Sequence, residues 1–406
     1  MLRCGLLGRT LCHSYSPAIH AAFGGYDYRL YEKEPDELAA FLRDGAWDGL
    51  NVTIPYKKAV LPLCDTLSDT ARRIGSVNTL VRRPDGTIYG DNTDAYGFAC
   101  QLRTTGFDPR GQKALVFGSG GASCAVCDVL RQAGAQVVVI SRSGADNYDN
   151  LSRHADAALL VNTTPLGMYP NNGQSPVDLA HFPRCACVLD VVYNPARTAL
   201  LLQAEARGIA HAGGLVMLVA QAARSSACFT GLAVPEQTQQ RVLAQLSRQM
   251  QNIILVGMPG CGKSTIGALL AKQLGREFVD ADAQIAQKAG MSIPEIFARY
   301  GEAHFRALET DVLAGLGARS GLVIATGGGS VTREENYLPL HQNGTIIWLR
   351  RELTALPSDG RPLSLGADLS AMYQTRAPLY ARFADLQVEN DGLPQQTVDQ
   401  ILEVLS

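Results

Sequence analysis

The densest chemistry in the sequence is the nonapeptide Gly257-Met-Pro-Gly-Cys-Gly-Lys-Ser-Thr265. An apolar, β-branched run, Asn252-Ile-Ile-Leu-Val256, precedes it, and residues apolar at helical spacing follow as far as Leu274. A glycine-rich turn between a buried strand and a helix lets successive backbone N–H groups face a phosphate chain, and the helix N-terminus adds a favourable dipole. Lys263 supplies a point charge for the β and γ phosphates, and the Ser264 hydroxyl suits Mg²⁺. Gly257, Gly260, Cys261, Gly262, Lys263, Ser264 and Thr265 are therefore expected around a nucleoside triphosphate.

Further polar groups follow this loop in order: Asp280 and Asp282, Arg306, the run Gly327, Gly328 and Gly329, then Arg361 and Arg376. Strand alternation would put both aspartates on one face at a strand end. One could then serve Mg²⁺ through water and the other a substrate hydroxyl. The three glycines would let backbone approach a ligand closely. Three separated arginines suit one carboxylate plus a transferring phosphoryl group. Taken alone, the aspartates fit a solvated strand end as well as a site.

The first half offers different chemistry. Lys57 follows the strand-like Gly49-Leu-Asn-Val-Thr-Ile-Pro55, and Asp94 closes the polar stretch Gly90-Asp-Asn-Thr-Asp94. A lysine–carboxylate pair can hand a proton to a carbonyl oxygen while hydride arrives at carbon. On residue types alone, the pair fits an ordinary salt bridge equally well. Next comes a βαβ pattern with the turn Gly118-Ser-Gly-Gly-Ala-Ser123, whose second strand ends at Ser141-Arg142. That is a dinucleotide-type turn, and an arginine at that strand end suits the 2′-phosphate of NADP rather than the 2′-hydroxyl of NAD.

Strands and helices alternate throughout, which predicts α/β architecture with parallel sheets. Residues 1–98 form one block, and residues 99–248 form a second that contains the dinucleotide turn. Residues 249–406 form a third, with strands expected at Asn252–Gly257, Glu277–Ala281, Gly321–Thr326, Gly344–Arg350 and Ala384–Glu389. The polar, Gln-rich, helix-patterned stretch Arg224–Gln251 is expected to end the second block and carry the linker, with helices at about 222–248 completing the first domain.

The ordered motifs Ser14-Tyr-Ser-Pro17, Asn51-Val-Thr-Ile-Pro-Tyr-Lys57, Val77-Asn-Thr79, Asn92-Thr-Asp94, Asn162-Thr-Thr-Pro-Leu-Gly-Met168, Asp190-Val-Val-Tyr-Asn-Pro195 and Gly213-Gly-Leu-Val-Met-Leu-Val-Ala-Gln221 resemble shikimate dehydrogenase over nearly all of the first 248 residues. The third block, with Phe278-Val-Asp-Ala-Asp282, Gly301–Glu309, Thr326-Gly-Gly-Gly329, Arg361-Pro-Leu and Arg376-Ala-Pro-Leu-Tyr380, resembles shikimate kinase. The first resemblance implies a catalytic pair at Lys57 and Asp94, with Asp94 also touching substrate. It implies carboxylate binding by Ser14 and Ser16, and substrate contacts at Thr53, Asn78, Tyr193 and Gln221. NADP(H) would lie along Gly118, Gly120, Gly121, Ala122, Ser141, Arg142 and Gly214. The second implies shikimate on Asp282, Arg306, Arg376 and Gly327–Gly329, Mg²⁺ at Ser264 and Asp280, Lys263 on the ATP phosphates, and Arg361 in a closing lid. Asp282 would orient or deprotonate the attacking hydroxyl, and Phe297 and Phe305 would wall the substrate.

The resemblances thus imply an N-terminal α/β substrate domain, a Rossmann NADP-binding domain, and a P-loop mononucleotide-kinase-like domain with a five-stranded parallel sheet. They imply a bifunctional enzyme of the shikimate pathway whose first half makes shikimate and whose second half phosphorylates it. Quinate specificity in the first half and a non-catalytic pathway sensor are the alternatives. A sensor would be free to lose Lys57, Asp94, Lys263 or Asp282, and all four are present. The sequence departs from the family patterns in four places, one of them the short helix after Ser16-Pro17, which implies a trimmed first domain. Cys124 replaces a basic residue after the dinucleotide turn, Gly144-Ala-Asp146 follows Arg142 where a second basic residue is common, and the stretch Leu353–Gly360 is short, with Thr354 where a basic residue often stands.

Composition limits the other options. The 406 residues carry a formal charge of −2, with 46% hydrophobic and 18% charged residues. That length predicts two or three domains, and the charge gives no reason to expect nucleic acid or an anionic membrane. No apolar run is long enough to span a bilayer, and the N-terminal run lacks a secretory pattern, so a cytoplasmic location is expected. The ten cysteines are scattered, and the Cys124/Cys127 pair has no second pair or histidine cluster to complete a metal site, so buried free thiols are expected.

Overall fold

Short β-branched runs bounded by glycine-rich turns become strands, and the amphipathic stretches between them become helices, so the chain builds three sheets in sequence order. The computed structural model describes residues 1–11, 14–356 and 369–405. The chain forms two compact units: Met1–Met168, Gln174–Tyr193 and Thr198–Ser247 make the first, and Tyr169–Gly173, Asn194–Arg197 and Arg248–Ser406 the second.

The first unit holds two sheets. Strands β1 (Leu2–Gly8), β2 (Tyr26–Glu32), β3 (Gly49–Val52), β4 (Thr66–Leu67), β5 (Thr79–Arg82) and β6 (Ile88–Asp91) pair in the order β2-β1-β3-β5-β6-β4. The β5–β6 connection is an antiparallel hairpin, as Pro84-Asp85-Gly86 predicts. Strands β7 (Lys113–Phe117), β8 (Gln136–Ile140), β9 (Leu159–Asn162), β10 (Cys187–Asp190) and β11 (Ala210–Ala212) form a wholly parallel sheet in the order β11-β10-β9-β7-β8. Helix Asp94–Thr104 runs through residue 98 without a break, so the first and second blocks share a helix. Helix Leu215–Thr230 packs along it and also touches β3 and β5. Ile19 shares a buried cluster with Val219, Ala222, Val242 and Leu246, which ties the helices Leu215–Thr230 and Glu236–Met250 to the N-terminal sheet's first helix.

The second unit carries β12 (Asn252–Val256), β13 (Phe278–Asp280), β14 (Val323–Ala325), β15 (Gly344–Arg350) and β16 (Leu386–Glu389). They form a five-stranded parallel sheet in the order β13-β14-β12-β15-β16. Ile253, Ile254, Leu255 and Val256 are all buried, as a central strand covered on both faces requires. Helix Glu236–Met250 runs across the passage from Ser247 to Arg248, within the stretch whose pattern is helical. The nine described cysteines are free. Among the described residues no helix is long and apolar enough to cross a membrane.

Candidate active sites

In the first unit β3 ends beside a turn that carries Lys57, and helix Asp94–Thr104 starts at Asp94. The two meet: Lys57 Nζ donates to Asp94 Oδ2 at 2.5 Å. Their side chains are 19% and 8% exposed, so the pair is largely screened from bulk water. Asn78 Nδ2 donates to the other carboxylate oxygen, Asp94 Oδ1, at 2.9 Å. The orientation of the Asn78 amide follows from a backbone donor, because Thr93 N–H can only donate and does so to Asn78 Oδ1 at 2.7 Å.

This arrangement is backed by residues that sequence inspection missed. Asn51 Nδ2 donates to Ser225 Oγ at 2.7 Å, and Ser225 Oγ lies 2.9 Å from both Thr79 Oγ1 and Thr93 Oγ1. Thr93 Oγ1 accepts from Asn78 Nδ2 at 3.0 Å. Asn51, Asn78, Thr79, Thr93 and Ser225 are all buried, and Gln221, one helical turn before Ser225, reaches Asn78 Nδ2 with its Oε1 at 3.4 Å. The only sequence signal for Ser225 is its i+4 position after Gln221.

Of the other residues expected in this site, Ser14 Oγ accepts from the Ser16 backbone N–H at 3.2 Å, and Tyr193 packs edge-on against Tyr15 with ring centroids 6.0 Å apart. No hydrogen bond joins Ser14, Ser16, Thr53 or Tyr193 to the Lys57–Asp94 pair among the described residues. The dinucleotide turn does approach the pair: a Cβ at Gly121 would stand 3.4 Å from Lys57 Cδ. Gly118, Gly120, Gly121 and Ala122 lead from β7 into helix Gly121–Gln132, so backbone N–H groups are available to a pyrophosphate. Ser141 and exposed Arg142 follow β8, and Gly214 precedes helix Leu215–Thr230. Asp146, the acidic residue near Arg142, is bound to His154 Nε2 at 2.9 Å.

In the second unit a cleft of about 700 Å³ opens at the C-terminal ends of the strands. Gly260, Gly262, Lys263, Ser264 and Thr265 line it on one side, and Asp280, Asp282, Phe297, Phe305, Arg306, Gly327, Gly328, Gly329 and Arg376 on the others. Gly257 and Cys261, in the same loop, are buried. Gly262 has φ 97°, and a Cβ there would stand 2.5 Å from Asn390 Nδ2, so only glycine serves. Asn390 Nδ2 in turn donates to Cys261 O at 2.7 Å, an anchor of the loop that the sequence does not announce. Lys263 Nζ donates to Gly257 O at 2.8 Å and Met258 O at 3.0 Å. Ser264 Oγ donates to Asp280 Oδ2 at 2.6 Å, an all-oxygen pair of the kind Mg²⁺ takes, either directly or through water.

The expectation that Asp280 and Asp282 share a strand face needs correction. Strand β13 stops at Asp280, which caps the helix Ala281–Ala289 by accepting from Asp282 N–H at 3.0 Å and Ala283 N–H at 3.3 Å. Asp282 thus lies in the first turn of a helix, because an aspartate at that point satisfies orphan helix N–H groups better than it continues a strand. Both carboxylates still face the cleft. Phe297 and Phe305 stand on either side of a kink at Gly301 in helix Ile293–Ala318, with ring centroids 4.7 Å apart. Arg306 is gripped by Glu309 Oε2 at 2.6 Å and Glu302 Oε1 at 3.3 Å. A Cβ at Gly329 would stand 2.3 Å from the Arg306 guanidinium, which explains the glycine there. Glu309, which closes the Gly301–Glu309 motif, is fully buried. Burial pushes its carboxyl up, opposed by Arg306. Arg376 donates to Gly328 O at 3.1 Å. Arg361 lies outside the described residues.

Fold and site together define two enzyme classes: a dinucleotide-dependent dehydrogenase with a lysine–aspartate pair, and a phosphate-loop kinase. Residues 6–80 match the family model for the shikimate dehydrogenase substrate binding domain, and residues 259–406 match that for shikimate kinase. The shikimate dehydrogenase (NADP(+)) of Methanopyrus kandleri is 41% identical over 265 residues, covering 57% of this chain and 91% of that protein. The solved shikimate 5-dehydrogenase of Thermus thermophilus, in complex with NADP(H) and shikimate, is similar at 34% identity and a TM-score of 0.55, covering 60% of this chain and 99% of that one. A quinate dehydrogenase from Corynebacterium glutamicum in complex with NAD is similar at 28% identity and a TM-score of 0.55, covering 60% and 99%. The chain belongs to the shikimate dehydrogenase family and carries a shikimate kinase domain in its last part, so it is a bifunctional enzyme of the shikimate pathway. NADP(H), and ATP with Mg²⁺, are the cofactors of these two classes.

Proposed function

We propose that the chain reduces 3-dehydroshikimate to shikimate with NADPH and then phosphorylates shikimate to shikimate 3-phosphate with ATP. On this reading residues 1–98, completed by helices at about 222–248, bind the substrate of the first step, residues 99–248 bind NADP(H), and residues 249–406 are the kinase, all in the cytoplasm. The observation that carries it is the largely buried Lys57–Asp94 contact beside the dinucleotide turn. NADPH, when bound, supplies the hydride. Lys57 donates its proton to the carbonyl oxygen and takes it back in the reverse direction, while Asp94, held by Asn78, orients the ammonium. Ser14, Ser16, Thr53, Tyr193 and Gln221 complete the substrate site, with Arg142 on the 2′-phosphate.

In the kinase cleft Asp282 orients the attacking hydroxyl and takes its proton, while Arg306 and Arg376 hold the carboxylate. Gly327, Gly328 and Gly329 form the floor beneath the acceptor. Ser264 and Asp280 hold Mg²⁺, Lys263 meets the phosphates, and Arg361 neutralises charge on the transferring group. Two assays on the full chain test the reading. Lys57→Ala should abolish NADPH-dependent reduction and spare phosphoryl transfer, and Lys263→Ala should do the reverse. Retention of the corresponding activity by either variant would refute the role given to that lysine. Quinate as substrate of the first half is a second reading, supported by the similarity to the solved quinate dehydrogenase. Measuring kcat/KM for shikimate and quinate in the oxidative direction separates the two.

A further inference from the structure

We propose that Arg351 is a nucleotide-binding residue of the kinase cleft, its guanidinium meeting the phosphate chain of the bound triphosphate. The inference rests on the kinase reading above. Arg350 and Arg351 are consecutive at the end of β15, yet their surroundings differ. Arg350 pairs with Glu389 Oε1 at 3.0 Å and stacks over the Trp348 ring at 5.2 Å. Arg351, the next residue, lines the cleft that contains Lys263, Ser264 and Asp280. Among the described residues it has no ion pair and no hydrogen bond, and its Nε is shut off from solvent without a partner. A shielded donor left without an acceptor is costly, and a guanidinium in that position calls for an anion.

The geometry also says which anion. Strand β15 runs beside β12, the strand that feeds the phosphate loop. A Cβ at Gly257, where that loop begins, would stand 2.4 Å from Leu349 O, two residues before Arg351. Arg350 O accepts from the Asn390 backbone N–H at 2.7 Å, and Asn390 Nδ2 binds Cys261 O at 2.7 Å. Arg351 therefore leaves the chain where β15, β16 and the phosphate loop are bonded together. The cleft's other cations already have partners: Lys263 on loop carbonyls, Arg306 on Glu309 and Glu302, and Arg376 on Gly328 O. In the sequence, residues 352–360 contain no lysine or arginine, so Arg351 is the cation available just ahead of Arg361. A planar guanidinium fork matches phosphate oxygens with two parallel hydrogen bonds, which a lysine cannot reproduce.

The test uses the full chain with Arg351→Ala and Arg351→Lys, ADP titration calorimetry, and KM for ATP and for shikimate. Arg351→Ala should raise the Kd for ADP and the KM for ATP about tenfold, the scale of one lost hydrogen bond to a charged group. Arg351→Lys should recover only part of this, the KM for shikimate should stay within about twofold, and NADPH-dependent reduction by the same chain should not change. Unchanged ADP affinity in Arg351→Ala overturns the inference, whether or not kcat falls. So does a defect confined to the KM for shikimate, which would place Arg351 on the acceptor. Failure of the parent chain to bind ADP would instead sink the kinase reading itself, which keeps the two failures apart.

Discussion

The two sites are built on different principles. In the dehydrogenase site the reactive pair is in contact, and Asn51, Asn78, Thr79, Thr93 and Ser225 bond to one another behind it. In the kinase cleft Lys263, Arg306 and Arg376 rest on backbone carbonyls or on glutamates, and among the described residues Arg351 Nε and Glu309 Oε1 have no hydrogen-bond partner. A proton transfer needs one donor fixed to within a few tenths of an ångström, which a satisfied buried network provides. Phosphoryl transfer needs several positive groups arranged around a large, highly charged ligand, and the ligand itself supplies part of the binding geometry. The first site should thus be sensitive to neutral hydroxyls far from the substrate, and the second to charge and metal.

The largest expected effect tests that contrast directly. Chelation with EDTA should take phosphoryl transfer to background and leave NADPH-dependent reduction unchanged. A loss of reduction under the same conditions would break the comparison. Next, Asp94→Asn keeps the shape of the pair but removes its charge, and should lower kcat for reduction by about a hundred- to ten-thousandfold, the usual worth of a positioned acid–base pair. Kinase kcat measured on the same variant should stay level.

Ser225→Ala sharpens the comparison at longer range. Removing this hydroxyl leaves buried Asn51 Nδ2 without its acceptor, a cost of about 1–3 kcal/mol, and kcat for reduction should fall about tenfold. Combining it with Thr93→Val should cost less than the sum of the single changes, since both act through Asn78. Strict additivity would show that the hydroxyls do not act as one network.

The smallest effect concerns pH. His20 is 1% exposed and stacked on Tyr28 with ring centroids 4.0 Å apart, and burial holds its pKa down to about 3. The unfolded chain takes up a proton at this residue below its ordinary value of 6.5, and the folded chain does not. Its contribution is therefore complete above pH 6.5 and is lost as pH falls toward 3. Urea unfolding of the first unit, followed between pH 6.5 and 5, should lose at most about 1.4 kcal/mol per pH unit from this group. The slope should shrink in His20→Phe.

Much of this was legible in the sequence because the informative residues are close neighbours in the chain. Gly257–Thr265 carries its strand, turn and helix in one continuous stretch, and the dinucleotide turn does likewise. Asp282 was misplaced because alternation along an assumed strand gives no hint that Asp280 caps a helix. Ser225 and Asn390 left little or no trace. Asn51 and Ser225 are 174 positions apart, and Asn390 and Cys261 are 129 apart, so no local spacing rule connects them.

The sequence by itself determined the strand–helix alternation, the phosphate loop and the kinds of residue that do the chemistry, because backbone propensity and glycine-dependent turns act over a few residues. Only the tertiary structure decided that Lys57 touches Asp94, that Ser225 sits behind them, and that Arg350 and Arg351 meet different surroundings. Those facts depend on which strand ends and helix faces are packed together, and burial then fixes which polar groups must find each other.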